Sequence, residues 1–240
     1  MKNLTFQSCI SALRKIWCLA LATAFLSVGV SPIQGQQKIG TRQIHLDFHT
    51  SEHLPDIGKD FSKEQFQSAL KAANVNSINI FAKGHHSWSY YPTKVGKMHP
   101  NLDFDLLGAQ VEACHEIGVS CPFYFTFGWS HNDALEHPEW TARNRDGTIR
   151  STGNNYDFKA KPGKQKPNYQ WMFMCVNSPY HDHIMAQVEE LCTMYEVDGF
   201  WFDIYQTVNP CYCDRCKKLM DEQGVDIGNK GAVEKFYGHS

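Results

Sequence analysis

The sequence predicts an α/β fold of the (β/α)8 TIM-barrel type, with the first four βα units present. Short β-rich runs alternate with stretches of helical periodicity after residue 36, as expected for parallel βαβ units. One face of the first, second and fourth predicted strands carries polar and aromatic side chains. Such a face suits the mouth of a barrel, where functional groups gather at strand C-termini. The alternative for four such units is an open doubly wound sheet, but a polar face packs poorly beneath helices.

The first 36 residues are expected to lie outside this fold. A basic N-terminal region precedes the apolar stretch Ile16–Val30, which has about 15 residues. This stretch is shorter than the roughly 20 residues of a membrane-spanning helix and is typical of a signal peptide. We therefore expect residues 1–36 to be a signal peptide and residues 37–240 to be secreted or periplasmic. An uncleaved N-terminal anchor is the alternative.

The predicted strands and helices follow in alternation. The strands are Gln43–His49, Ser77–Lys83, Val119–Phe127 and Gly199–Tyr205. The helices run from a capping box at Ser62 to Ala73, from Asp103 to Ile117 before Gly118, from Ser178-Pro179 to Tyr195, and onward from about Cys213. Residues 128–177 are expected to be mainly a long polar segment.

Asp203 is the candidate catalytic residue. It falls at the C-terminal end of the fourth strand, and alternation places it on one face with Trp201 and Tyr205. A carboxylate there can attack an anomeric carbon while a second carboxyl acts as the acid. Aromatic walls exclude water and strengthen charge interactions. The alternative is a carboxylate that caps the next loop.

Candidate substrate-binding residues follow the other strands. His85 and His86 come directly after the second strand, and Trp88 lies close by. Imidazole groups bind sugar hydroxyls, and aromatic rings stack on the C–H face of a sugar. A single loop histidine is usually solvated, but an adjacent pair at a strand end favours a pocket. The candidate binding set is His49, Lys83, His85, His86, Trp88, Trp129 and Trp201.

A cysteine cluster predicts a metal site. Cys211, Cys213 and Cys216 have the spacing of zinc ligands on a short loop that runs into a helix. Cys175, before the expected helix start, is the best fourth ligand. Such a zinc ion would be structural, and catalysis would need no cofactor. Because export favours disulfides, a Cys211–Cys216 or Cys175–Cys213 disulfide is the alternative.

Several of these segments resemble known glycosidases. The His85-His86 pair, the aromatic strand Pro122-Phe123-Tyr124-Phe125 and Trp201-Phe202-Asp203 together look like the barrel of α-L-fucosidases. In that family a Lys-His-His stretch follows strand two, whereas here Gly84 intervenes. The family's nucleophile in a retaining mechanism is an Asp after Trp at the end of strand four, which corresponds to Asp203.

Longer stretches resemble the domain called hypothetical glycosyl hydrolase 6, found in a second group of α-L-fucosidase-type enzymes. The resemblance spans about residues 42–220. The matching stretches are Leu46-Asp47-Phe48-His49, Tyr91-Pro92-Thr93-Lys94, His99-Pro100 and His137-Pro138-Glu139-Trp140. The four cysteines separately resemble the zinc cluster of β-galactosidases that share this barrel.

These resemblances imply that residues 37–240 are the N-terminal part of a catalytic barrel. The implied function is a retaining, α-L-fucosidase-like glycoside hydrolase that removes terminal sugars from oligosaccharides or polysaccharides. Its acid/base residue is expected from a later strand. The alternatives are a β-galactosidase-like hydrolase and a non-catalytic sugar-binding fragment. A net charge of −2 gives no basis for binding nucleic acid or anionic membranes, and we expect a carbohydrate partner, with an oligomer left open.

Overall fold

A parallel sheet forms the centre of the molecule. The computed structural model describes residues 40–152, 171–205 and 210–238, so the predicted signal peptide lies outside the described residues. The strands are β1 (Gln43–His45), β2 (Ser77–Lys83), β3 (Trp88–Ser89), β4 (Lys97–Met98), β5 (Phe123–Thr126) and β6 (Phe200–Asp203). Strands β1, β2, β5 and β6 pair in parallel in that order. The predicted parallel α/β arrangement is therefore confirmed.

Helices follow the parallel strands. They are α1 (Lys63–Ala72), α2 (Leu106–His115), α3 (His131–Glu136), α4 (Tyr180–Met194), α5 (Asp214–Glu222) and α6 (Lys230–Gly238). The hydroxyl of Ser62 accepts a hydrogen bond from the Gln65 amide, which confirms the predicted start of α1. Gly118 has φ +70° just beyond α2, a conformation that favours glycine. Across the described ranges, no helix combines the length and apolarity needed to cross a bilayer.

One face of the sheet is covered by helices. Its apolar side chains alternate along β2 and β5, and they pack against buried residues of α1, α2 and α4. The strand members of this layer are Ile78, Ile80, Ala82, Phe123 and Phe125. Burying each such side chain contributes roughly 1.5–3 kcal/mol. Because this layer covers one face of the sheet, the site can form only on the opposite face.

The other face carries the aromatic and polar side chains that the alternation predicted. The rings of Phe81 and Tyr124 stack with centroids 4.0 Å apart. The ring of His45 lies 5.4 Å from Tyr124 and 6.2 Å from Trp201. Because β5 and β6 pair in register, Asp203 lies opposite Thr126 at the carboxyl end of this face.

Several elements differ from the sequence prediction. Strand β1 ends at His45 rather than His49. Beyond His45 a side chain, rather than a neighbouring strand, supplies a hydrogen bond to the backbone, since the Tyr90 hydroxyl donates to the Phe48 carbonyl at 2.8 Å. The β3–β4 pair was not predicted, because two-residue strands carry no periodicity. Helix α3 lies inside the expected polar segment, of which residues 153–170 lie outside the described ranges.

Candidate active site and cysteine cluster

Asp203 lies at the carboxyl end of β6, beside one group from β5 and one that follows β2. The Tyr124 hydroxyl donates to Asp203 Oδ2 at 2.5 Å. The same oxygen lies 3.7 Å from His85 Nε2. The Asp203 side chain is 33% exposed, so a ligand can reach it. Of the two histidines expected in a cleft with Asp203, His85 lies beside it, and the cleft formed with both His85 and His86 stays a prediction.

The hydrogen bonds of His85 define its tautomer. Thr126 donates its hydroxyl hydrogen to the Trp129 carbonyl at 3.0 Å. The Thr126 oxygen therefore accepts from His85 Nδ1, which lies 2.8 Å away. This leaves a lone pair on His85 Nε2, on the side of Asp203. Burial, followed by the neighbouring His49, lowers the pKa of His85 to about 3, so this imidazole is a neutral acceptor near pH 7.

His49 stacks directly on His85. Their ring centroids are 3.8 Å apart. His49 Nδ1 accepts the His85 amide hydrogen at 3.0 Å, so its Nε2 hydrogen faces Asp47 Oδ1 at 3.0 Å. Burial lowers the pKa of His49, although Asp47 opposes the shift. Gly84 makes room for this stack, because a Cβ there would lie 3.2 Å from His49 Nδ1.

His86 belongs to a second aromatic group beside the first. Its ring lies 4.8 Å from Trp171 and 6.3 Å from His131. Burial, and then His131, lower the pKa of His86 to about 4. Trp129 stacks on Trp171 at 6.3 Å and meets His85 edge-on at 4.9 Å. Both His85 and His86 therefore line an aromatic enclosure.

The remaining tryptophans occupy different environments. Trp201 is 52% exposed and its ring lies on the same sheet face as His45. A half-exposed indole beside Asp203 offers a flat surface to a ligand. Trp88 instead donates its Nε1 hydrogen to Glu52 at 3.4 Å and lies 6.0 Å from the ring of His99. Its proposed contact with substrate stays a prediction.

Lys83 needs a correction, because the structure buries it on the helix-covered face. It is fully buried, and its ammonium donates to Asp133 at 2.9 Å and to Gln187 at 3.3 Å. The pairing of β2 with β5 shifts register between Phe81 and Lys83. This irregularity ends the alternation that predicted Lys83 on the site face. Its role here is to hold the start of α3 through Asp133.

The backbone after Asp203 is strained. Ile204 has φ +55°, which is rare for a β-branched residue. A Cβ on Gly128 would lie 2.0 Å from the Ile204 carbonyl oxygen. The Phe127 amide also donates to the Asp203 carbonyl at 3.0 Å. The carboxyl ends of β5 and β6 are thus in close contact next to Asp203. Backbone strain of this kind is common at functional sites.

The four predicted cysteines converge. The sulfurs of Cys175, Cys211, Cys213 and Cys216 all lie within 4.8 Å of one another. Cys175 Sγ is 3.6 Å from Cys213 Sγ and 3.4 Å from Cys216 Sγ, and all four thiols are free. The Arg143 amide points at Cys211 Sγ from 3.4 Å, and Asn177 Nδ2 points at Cys216 Sγ from 3.3 Å. Donors aimed at sulfur favour thiolate ligands.

Several residues of the site were not selected from the sequence. Tyr124 and Thr126 are the partners of Asp203 and His85, yet nothing in the sequence separates Tyr124 from its aromatic neighbours. Their signal is positional: both lie on the site face of the third parallel strand. Trp171 was hidden in the long segment before Cys175.

Comparison with known proteins identifies the family of this chain. The sequence profile of the family described as hypothetical glycosyl hydrolase 6 matches residues 62–204, more than half of the chain. The structure resembles alpha-L-fucosidase isoenzyme 2 from Paenibacillus thiaminolyticus, with 43% identity and a TM-score of 0.70. That match covers 81% of this chain and 28% of that one. A comparison with curated proteins finds no match.

Weaker structural likenesses include two other glycosidases. An alpha-N-acetylgalactosaminidase from Bifidobacterium bifidum matches with 15% identity and a TM-score of 0.46, over 79% of this chain and 35% of that one. An alpha-L-fucosidase from Bacteroides thetaiotaomicron matches with 20% identity and a TM-score of 0.37, over 60% and 27% of the two chains. The chain therefore spans about a third or less of the length of these enzymes.

Proposed function

We propose that this chain, which belongs to the hypothetical glycosyl hydrolase 6 family, carries the nucleophile of a retaining, α-L-fucosidase-like active site. One observation carries the proposal. Asp203 is presented at a strand end with its side chain 33% exposed, and its Oδ2 is bound by Tyr124 and lies 3.7 Å from His85 Nε2. A glycosidase family implies a carbohydrate substrate. The likeness to the Paenibacillus fucosidase supports the choice of an α-L-fucoside.

The geometry suggests how the first step proceeds. Tyr124 fixes Oδ2, which leaves Oδ1 of Asp203 to attack the anomeric carbon. The new bond joins that carbon to Oδ1, while the glycosidic bond breaks and its electron pair leaves with the aglycone oxygen. The His85 Nε2 lone pair accepts a hydrogen bond from a sugar hydroxyl. Trp201 offers its exposed ring to the apolar face of the sugar.

The wider organisation remains part of the proposal. We propose that residues 37–240 form the N-terminal part of a (β/α)8 catalytic domain and that residues 1–36 direct it to a secreted or periplasmic location. The sequential parallel order of β1, β2, β5 and β6 supports the barrel. The second carboxyl of a retaining mechanism is expected from a later unit of that barrel.

We also propose that Cys175, Cys211, Cys213 and Cys216 hold a structural zinc ion. A tetrahedral Zn–S₄ centre has sulfurs about 3.8 Å apart, given Zn–S bonds of about 2.3 Å, and the separations of 3.4 and 3.6 Å are close to this value. Cys175 follows the segment that carries Trp171, so the ion would anchor the aromatic wall near His86.

Covalent labelling tests the function. An aryl α-L-fucoside with a fluorine at C2 and a dinitrophenolate leaving group needs no acid for its first step. We expect purified protein to gain one fluorodeoxyhexosyl group in its mass, on the peptide that holds Asp203. D203N should gain none, while D182N, a matched change at an exposed α4 residue, should label like wild type. Labelling of D203N, or of another carboxylate in wild type, would refute the assignment.

A further inference from the structure

A second group of metal-ligand side chains lies at the opposite end of the sheet from Asp203. His115 ends α2, Cys121 lies just before β5, and Asp198 lies just before β6. Asp198 and Asp203 are five residues apart along one strand direction, which separates them by roughly 16 Å. This group therefore takes no part in the site already described.

Two separations among its three donor atoms are close to those in a tetrahedral metal centre. His115 Nε2 lies 3.1 Å from Asp198 Oδ2 and 3.6 Å from Cys121 Sγ. All three atoms lie within 4.8 Å of one another. Zinc bonds of about 2.1 Å to nitrogen or oxygen and about 2.3 Å to sulfur give N···O near 3.4 Å and N···S near 3.6 Å. The side chains thus need little movement to enclose an ion.

We propose that His115, Cys121 and Asp198 bind a zinc-class divalent cation that ties the end of α2 to the starts of β5 and β6. The donor set combines one imidazole, one thiolate and one carboxylate, each a normal zinc ligand. Asp198 is only 3% exposed, whereas His115 is 26% exposed, so the ion enters past His115 and a water completes its coordination.

Neighbouring groups orient the ligands for this role. The Cys121 amide donates to Asp198 Oδ2 at 2.6 Å, which fixes the carboxylate without occupying all its lone pairs. Binding requires the Cys121 thiol to lose its proton and His115 to carry its hydrogen on Nδ1. Without metal, His115 carries its hydrogen on Nε2 and donates it to Asp198. This hydrogen bond competes with metal binding.

Zinc stoichiometry tests the proposal. The purified chain is equilibrated with buffered Zn²⁺, and bound zinc per chain is measured by elemental analysis. We expect C121S and H115Q each to lose one equivalent relative to wild type. The matched changes C192S and H181Q, at exposed positions on α4, should lose none. Because every variant keeps the four-cysteine cluster, the difference reports this site whether or not that cluster binds zinc.

A third variant distinguishes loss of a metal ligand from misfolding. D198N keeps an oxygen that can accept from the Cys121 amide but removes the charged ligand, so we expect it to fold and to lose the same equivalent of zinc. Folding is checked by far-UV circular dichroism. Equal zinc content in wild type and D198N would overturn the proposal. So would a Cys114–Cys121 disulfide found by mass spectrometry in the zinc-equilibrated chain, since these two thiols are hydrogen-bonded neighbours.

Discussion

The Tyr124 hydroxyl donates a 2.5 Å hydrogen bond to Asp203 Oδ2 across the β5–β6 pair. This hydrogen bond fixes one oxygen of the carboxylate and leaves the other for the proposed attack on the sugar. The buried Tyr124 keeps its hydrogen, since burial and the Asp203 charge raise its pKa above its usual value. Orientation of the proposed nucleophile therefore depends on a residue that performs no step of the proposed reaction itself.

We predict that Y124F slows labelling by the activated fucoside by about 10- to 100-fold. A hydrogen bond to a charged group is worth about 1.5–3 kcal/mol, and its loss frees the carboxylate to rotate away from the attack geometry. The rate is measured by intact-protein mass spectrometry. Y195F, which removes a tyrosine–carboxylate hydrogen bond to Asp105 outside the Asp203 site, is the matched control. An unchanged or faster rate in Y124F would mean that Tyr124 only packs.

The buried ion pair between Lys83 and Asp133 leads to a stability prediction. K83M leaves the Asp133 carboxylate without its cation in an environment that is only 14% exposed. Breaking one partner of a buried pair typically costs about 3–5 kcal/mol. We expect urea unfolding to show a loss of that size, and K83M/D133N to recover a large part of it. A K83M protein as stable as wild type would contradict the buried charge pair.

The strands and the face of Asp203 could be predicted because period-two alternation is enforced by burial. Phe200 packs against the helix-covered core, although Phe202 is 40% exposed, and alternation leaves Trp201 and Asp203 on the other face. The same reasoning placed His85 and His86 near Asp203, since parallel strands end at one edge, and His85 lies beside it.

Features outside this periodicity could not be predicted. Lys83 changes face at a register shift, which depends on how β2 meets β5 and leaves no mark in the sequence. Helix α3 has six residues and relies on the pairing of Asp133 with Lys83, 50 positions away. The contact of Tyr124 with Asp203 spans 79 positions and appears only when the strands align.

Acid is expected to destabilise the protein through its buried histidines. The folded-state pKa values of His85 and His86 are lowered from 6.5 to about 3 and about 4. Below pH 6.5 the unfolded chain therefore binds protons that the folded chain excludes, so stability falls as pH falls and levels off near these folded values. Each histidine contributes at most about 1.4 kcal/mol per pH unit in that window.

We test this with urea unfolding at pH 7.0, 6.0 and 5.0. H85N and H86N should each show a shallower loss of stability with acid than wild type, because one titrating group has been removed. H181N, at an exposed position on α4, should keep the wild-type slope. Parallel slopes for all the proteins would show that the buried imidazoles do not control acid stability.

Gly128 is predicted to be essential for presenting Asp203. In G128A, the new methyl group would collide with the Ile204 carbonyl, 2.0 Å from the ideal Cβ position. We expect β6 to shift at its carboxyl end and labelling of Asp203 to fall about 100-fold, the cost of roughly 1 Å of misplacement. G147A, on a surface turn, is a control for stability only, since its φ of +84° also strains alanine. Normal labelling in G128A would show that this close approach is dispensable.

The last prediction is that the 240-residue chain hydrolyses fucosides only when the leaving group needs no proton. A retaining enzyme needs a second carboxyl about 5–5.5 Å from the nucleophile, and it protonates the departing oxygen. Asp47 is the carboxylate that binds His49 in the stack beside Asp203, but it is 72% exposed. General acids of this kind typically sit in apolar pockets, so we do not expect Asp47 to serve.

Dinitrophenyl α-L-fucoside should therefore be turned over slowly, and methyl α-L-fucoside not detectably. D47N should leave the rate on dinitrophenyl α-L-fucoside unchanged, whereas D203N should abolish it. Comparable rates on the two substrates would show that this chain already supplies its acid, and a loss of only the methyl fucoside reaction in D47N would identify it.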